Sequence, residues 1–91
     1  MSEMNASDAA QLMLQTDCDH KYFNGFGVAL TIGDVMVSLS HNNKQFLLLN
    51  TSYTVAKSLA KALNDTIDQL ENKTSNKIMT VEEIHQKLIG G

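Results

Sequence analysis

Residues 23–50, FNGFGVALTIGDVMVSLSHNNKQFLLLN, decide the fold class of this chain. Large and small side chains alternate along most of the stretch, and a period of two is typical of β-strands because successive side chains point to opposite faces. Two turn signals divide the stretch: Gly33-Asp34, and residues 41–44, whose two asparagines tolerate positive φ. The sequence therefore predicts three antiparallel strands joined by two hairpins.

The alternation also predicts a sheet with two different faces. The first, called the large-residue face, carries Phe26, Val28, Leu30, Val35, Val37, Leu39 and either Phe46 or Leu47. The second, called the small-residue face, carries Gly25, Gly27, Ala29, Met36, Ser38, Ser40 and two side chains from residues 46–49. Because residues 46–49 are apolar in a row, we expect both sides of the third strand to be covered.

A long helix is predicted at residues 51–72, directly after the strands. Asn50, Thr51 or Ser52 can cap its first turn. Apolar residues at helical spacing form one side of it, called the helix stripe: Val55, Leu59, Leu63, Ile67 and Leu70. At ~1.5 Å per residue the stretch from Tyr53 to about Glu71 is about 28 Å long, enough to cross three strands, so we expect the helix to pack on the large-residue face.

The remaining segments complete one domain, residues 1–91. A short helix is expected within residues 1–21, the strands within 22–50, and a C-terminal helix at 80–89, where Thr80-Val81-Glu82-Glu83 matches a capping box. The predicted fold class is α+β. It is a three-stranded antiparallel meander packed on one long helix, with short N- and C-terminal helices.

Composition limits the partners and the compartment. Seven lysines, no arginine and a net charge of −3 argue against a nucleic-acid partner, since such binding depends on a surplus of cations. The single Cys18 cannot form an intramolecular disulfide, and the sequence contains no recognisable signal peptide or membrane span. We expect a cytoplasmic protein without membrane contact.

Self-association is expected from the small-residue face, which has no obvious partner in the same chain. Its small side chains would let two sheets approach closely and form a dimer or larger homo-oligomer. The residues predicted for that interface are Gly27, Ala29, Met36, Ser38, Leu47 and Leu49. The alternative is that the N- and C-terminal helices cover this face within one chain.

The sequence predicts no catalytic site, cofactor site or metal site, and we expect no enzyme. Cys18-Asp19-His20 has metal-ligand residue types, but zinc normally recruits paired ligands at turn or helix spacing. A site for a small anionic ligand remains an alternative, because the start of the long helix combines unpaired N–H groups with a lysine one turn further along. The residues predicted for such a ligand site are Asn24, His41, Asn43, Lys44, Ser52, Tyr53 and Lys57.

A resemblance to a known family rests on three motifs, Asn24-Gly25-Phe26-x-Val28, then Asp34, then Leu49-Asn50-x-Ser52-Tyr53-x-x-Ala56-Lys57-x-Leu59. Over about residues 22–71 the chain resembles a family of short bacterial proteins catalogued as a domain of unknown function. The resemblance implies a small antiparallel sheet followed by one long helix, and it implies no catalytic residue.

The function expected from these observations is that of a small non-enzymatic, homo-oligomeric binding or protein-interaction module of bacterial or phage origin. The uncharged sheet face and the amphipathic terminal helices favour a protein partner. The alternative is a protein that sequesters a small ligand, a nucleotide messenger, in pockets between subunits.

Overall fold

The computed structural model describes residues 6–90, which form three strands and three helices. The elements follow in the order α1 (Ala6–Gln15), β1 (Gly25–Leu30), β2 (Val35–His41), β3 (Lys44–Thr51), α2 (Tyr53–Thr74) and α3 (Val81–Ile89). The strands pair in one antiparallel sheet with the order β1-β2-β3. The predicted α+β class and the three-stranded meander are confirmed.

The two hairpin turns use the residues that their backbone requires. Gly33 has φ +95 in the β1–β2 turn, a region that glycine enters without steric cost. Asn42 and Asn43 have φ 52 and φ 69 between β2 and β3, and two successive positive values are typical of a type I′ hairpin turn. The turn chemistry therefore fixes both strand reversals locally.

The strand register assigns the side chains to the two faces. Val37 of the central strand pairs with Val28 on one side and Leu49 on the other, and Leu39 pairs with Phe26 and Leu47. Directly opposed residues share a face, so Leu47 and Leu49 belong to the large-residue face. Of the two candidates for that face, Phe46 and Leu47, the register places Leu47 there. The prediction that Leu47 and Leu49 lie beside the small side chains of the interface is wrong.

An irregularity in β3 explains this difference. Leu39 is opposite Leu47 while its neighbour Ser40 is opposite Gln45, so Phe46 is one extra residue in the ladder. A β-bulge of this kind shifts the alternation by one position on the strand that contains it. Residues 46–49 are all apolar and carry no alternation from which that shift could be inferred.

Local hydrogen bonds set the ends of the two later helices. The Ser52 hydroxyl oxygen accepts from the Val55 amide at 3.2 Å and caps α2. Thr80 caps α3 with the predicted capping box: its Oγ1 accepts from the Glu83 amide, and the Glu83 carboxylate accepts from the Thr80 amide. Both helices begin where capping chemistry predicts.

The long helix does not lie across the sheet of its own chain. Within residues 6–90 the extensive contacts between elements are those of β2 with its two neighbouring strands, and α2 has no buried residue. Leu59 and Leu63 of the helix stripe stay 53% and 58% exposed. The predicted packing of the helix on the large-residue face is thus not found within one chain.

The chain is consequently open. It exposes 8416 Å², whereas a compact 10.0 kDa monomer exposes about 5,200 Å². Its radius of gyration is 16.0 Å, against about 12 Å for a compact chain of this length. Among the residues whose side chains are described, 8–90, Val35 is the one buried apolar side chain.

Candidate interaction surfaces

The structure divides the predicted ligand residues between the two ends of the sheet. Asn24, His41, Asn43 and Lys44 lie around the β2–β3 turn, and Ser52, Tyr53 and Lys57 lie where β3 passes into α2. The eight residues of β3 separate these ends by about 26 Å. One chain therefore does not bring the predicted set together.

At the first end, Asn24 is bonded to the hairpin turn. Its side-chain Nδ2 donates to Asn42 Oδ1 at 3.0 Å, and its Oδ1 accepts from the Asn42 amide at 2.9 Å. The Asn24 amide also donates to the Ser40 carbonyl at 3.1 Å. These bonds hold the segment before β1 against the hairpin, so Asn24 connects that segment to the β2–β3 turn.

Two residues at this end were not predicted. Asn42 is the partner of Asn24, and the ring of Tyr22 meets that of His41 edge-on with centroids 5.7 Å apart. Extending the β1–β2 register by one pair beyond Gly25 and Ser40 places Asn24 beside His41. The pairing of the strands was the signal from which both contacts could be inferred.

At the second end, the predicted ligand groups are engaged in the fold. The Tyr53 hydroxyl donates to the Thr31 carbonyl at 2.8 Å and accepts from the Gly33 amide at 3.0 Å. Ser52 Oγ is occupied by the helix cap. The hydroxyl groups at the start of α2 therefore connect the helix to the β1–β2 turn.

An open groove of about 960 Å³ lies between the start of β1 and α3. Phe26, Met79 and Val81 give it an apolar lining, while Glu82 and His85 stand along it. The Glu82 carboxylate opposes binding of an anion by like charge. No local sequence pattern predicts this groove, because its two sides are more than 50 residues apart along the chain.

Exposed apolar side chains form the most extensive feature of the surface. On the large-residue face, Val28 and Leu30 are 62% and 77% exposed. Its paired positions are apolar except for Thr51 at one end and the His41–Lys44 pair at the other. The helix stripe is a second apolar surface of similar length. Contiguous apolar surfaces of this extent are typical of protein contact sites.

The small-residue face holds four of the six predicted interface residues. Gly27, Ala29, Met36 and Ser38 share it through the register, next to Leu48 and Asn50 of β3. The Ser38 hydroxyl donates to Gln45 Oε1 at 2.9 Å across this face. It is thus flatter and more polar than the large-residue face.

No group of three His, Cys, Asp or Glu side chains is arranged to hold a metal among the residues described, and Cys18 is an exposed free thiol. None of the helices in the described range is both long and apolar enough to cross a membrane.

Comparisons with family models, curated proteins and solved structures find no match for this chain. The resemblance over residues 22–71 therefore stays an expectation.

Proposed function

We propose that this chain is a self-associating protein-interaction module: a homo-oligomeric subunit that acts by binding and not by catalysis. The observation that carries the proposal is the pair of uncovered apolar surfaces, the large-residue face and the helix stripe. Apolar area left in water forgoes about 25 cal/mol per Å², and net stabilities are only about 5–15 kcal/mol. Burial of these surfaces against a partner would recover that free energy.

The size of the exposed area supports a second copy as the first partner. The chain exposes roughly 3,000 Å² more than a compact chain of its mass. A standard protein interface takes about 800 Å² from each partner, and obligate homodimers take more. An obligate assembly, in which subunits complete each other's core, fits this surplus better than a small surface contact.

A cytoplasmic setting is part of the proposal. The exposed thiol of Cys18 supports it, since free thiols persist in reducing compartments. Binding of a further protein by the assembled module would use the surfaces that the assembly leaves open, with the groove beside α3 as the first candidate.

Sedimentation velocity at micromolar concentration tests the proposal. We expect a species at a multiple of 10.0 kDa, and a 10.0 kDa species that is fully folded by circular dichroism would contradict it. A thermal-shift panel of nucleotides on the same sample tests the sequestering alternative. A flat panel at millimolar ligand supports the interaction module, and a rise of several degrees favours the alternative.

A further inference from the structure

We infer that α2 of each chain lies across the large-residue face of a second copy, so that two chains exchange their long helices in a symmetric dimer. The inference rests on the proposed self-association and specifies its geometry. It replaces the contact that the sequence predicts within one chain by the same contact between two chains.

The two surfaces match in chemistry and in length. The large-residue face lies on strands of six to eight residues, or about 20–26 Å, and it carries no charged side chain except Lys44, which is opposite His41 at one end. The helix stripe runs from Val55 to Leu70, about 22 Å along the axis. Lys61 and Asp65, which form a solvent-exposed ion pair at 2.9 Å, lie on the opposite side of the helix. The helix therefore has one apolar side to bury and one charged side to leave in water.

The connection between β3 and α2 opposes folding of the helix onto its own sheet. Ser52 is the one residue between the two elements, and its hydroxyl is bonded in the helix cap. Tyr53, the next residue, is held by two hydrogen bonds to the β1–β2 turn. These bonds hold the start of α2 in a position where the helix makes no extensive contact with its own sheet, and a second copy can supply a helix without changing them.

Reciprocal exchange is also the arrangement that covers both surfaces with a single contact type. A sheet-on-sheet dimer would leave the helix stripe in water, and a helix-on-helix dimer would leave the large-residue face in water. In a twofold dimer, helix on sheet occurs twice and both apolar surfaces of both chains are buried. The closed symmetry also prevents further addition of chains.

A mixed-label NMR experiment on the unmodified protein tests the geometry. A sample refolded from equal amounts of ¹³C-labelled and unlabelled chain is examined by isotope-filtered NOE spectroscopy. We expect intermolecular NOEs between the methyl groups of Leu63 or Ile67 and those of Val28 or Val37. Helix–sheet NOEs found within one chain only, or a dimer whose intermolecular NOEs join sheet to sheet or helix to helix, would overturn the inference.

Cysteine pairing gives an independent measurement. In a Cys18→Ser background, chains carrying Val37→Cys are refolded together with chains carrying Leu63→Cys and then oxidised. We expect a disulfide-linked pair on a non-reducing gel, and a strong loss of it when Ser38→Cys or Asp68→Cys replaces the corresponding variant. If the protein is dimeric but all combinations are linked equally, the helix exchange is contradicted and the self-association is not. If the protein is a folded 10.0 kDa monomer, the self-association itself is contradicted.

Discussion

The hydroxyl of Tyr53 donates a hydrogen bond to the main-chain carbonyl of Thr31 at 2.8 Å, 22 residues earlier in the chain. The Gly33 amide donates to the same hydroxyl oxygen at 3.0 Å. The first side chain of α2 thus completes the hydrogen bonding of the β1–β2 turn. This contact sets the position from which the helix leaves the sheet.

Removing the Tyr53 hydroxyl should therefore loosen this junction. For Tyr53→Phe we expect a loss of about 1–2 kcal/mol in the free energy of unfolding, since a typical hydrogen bond contributes about 0.5–1.5 kcal/mol. Urea denaturation measures it. The control is Tyr22→Phe, at an exposed tyrosine whose ring contacts His41, where we expect a change within about 0.5 kcal/mol. Equal losses in the two variants would contradict the role given to Tyr53.

The β1–β2 turn should require glycine at position 33. An alanine there would adopt φ +95 at a cost of about 1–3 kcal/mol, although no neighbouring atom stands in its way. We expect Gly33→Ala to lower the free energy of unfolding, measured by urea denaturation, by that amount. Gly27→Ala is the matched control, because its added Cβ would meet Ser38 Cβ at an ordinary 4.0 Å. A Gly33→Ala variant as stable as Gly27→Ala would show that the turn is not strained.

The start of α3 should depend on pH. The pKa of Glu83 is lowered from its ordinary value of 4.5, mainly because its carboxylate accepts a hydrogen bond from the Thr80 amide. A carboxyl group with a lowered folded pKa stabilises the fold above its unfolded pKa, and that contribution is lost as the pH falls through the folded value. We expect faster exchange of the α3 amides as the pH is lowered from 5 towards 3, after correction for intrinsic exchange. Glu83→Gln keeps an accepting oxygen but does not titrate, so its corrected exchange should change less over that range. An unchanged pH response in this variant would contradict the assignment.

A charge on the large-residue face should disrupt assembly more than a charge on the small-residue face. Val28 and Ala29 are neighbours on β1 and belong to opposite faces. We expect Val28→Lys to shift the sedimenting species towards 10.0 kDa and Ala29→Lys to leave it unchanged. Circular dichroism of both variants separates dissociation from unfolding. The reverse order of effects would favour the sheet-on-sheet interface predicted from Gly27, Ala29, Met36 and Ser38.

The features predicted correctly are those whose signals are local in sequence. The alternation along β1 and β2, the two asparagines of the second turn and the Thr80–Glu83 capping box each act over a few residues. The face of Leu47 and Leu49 could not be predicted, because the bulge at Phe46 moves the register and the neighbouring residues are all apolar.

The other features that the sequence did not predict depend on contacts between residues that are far apart in the sequence. Helical spacing predicts that the helix stripe is a packing surface, but it does not indicate which surface the stripe packs against. The prediction of packing within one chain follows from the sequence only if the sheet of the same chain is taken as that surface. The predicted ligand residues looked like one set because several of them are close in sequence. Strand β3 carries them to opposite ends of the sheet, and Tyr53 meets Thr31 across 22 residues that no local pattern connects.

Among the side chains that the structure describes, Val35 is the one buried apolar residue, and this has a consequence for the protein in the cell. A subunit that completes its core only with another copy obeys mass action, so its folded fraction rises with the number of chains present. Under the proposed exchange, dilution alone would unfold it, and its melting temperature would report its concentration. Synthesis rate would then control how much of the module exists in its native form, as well as how many chains are made.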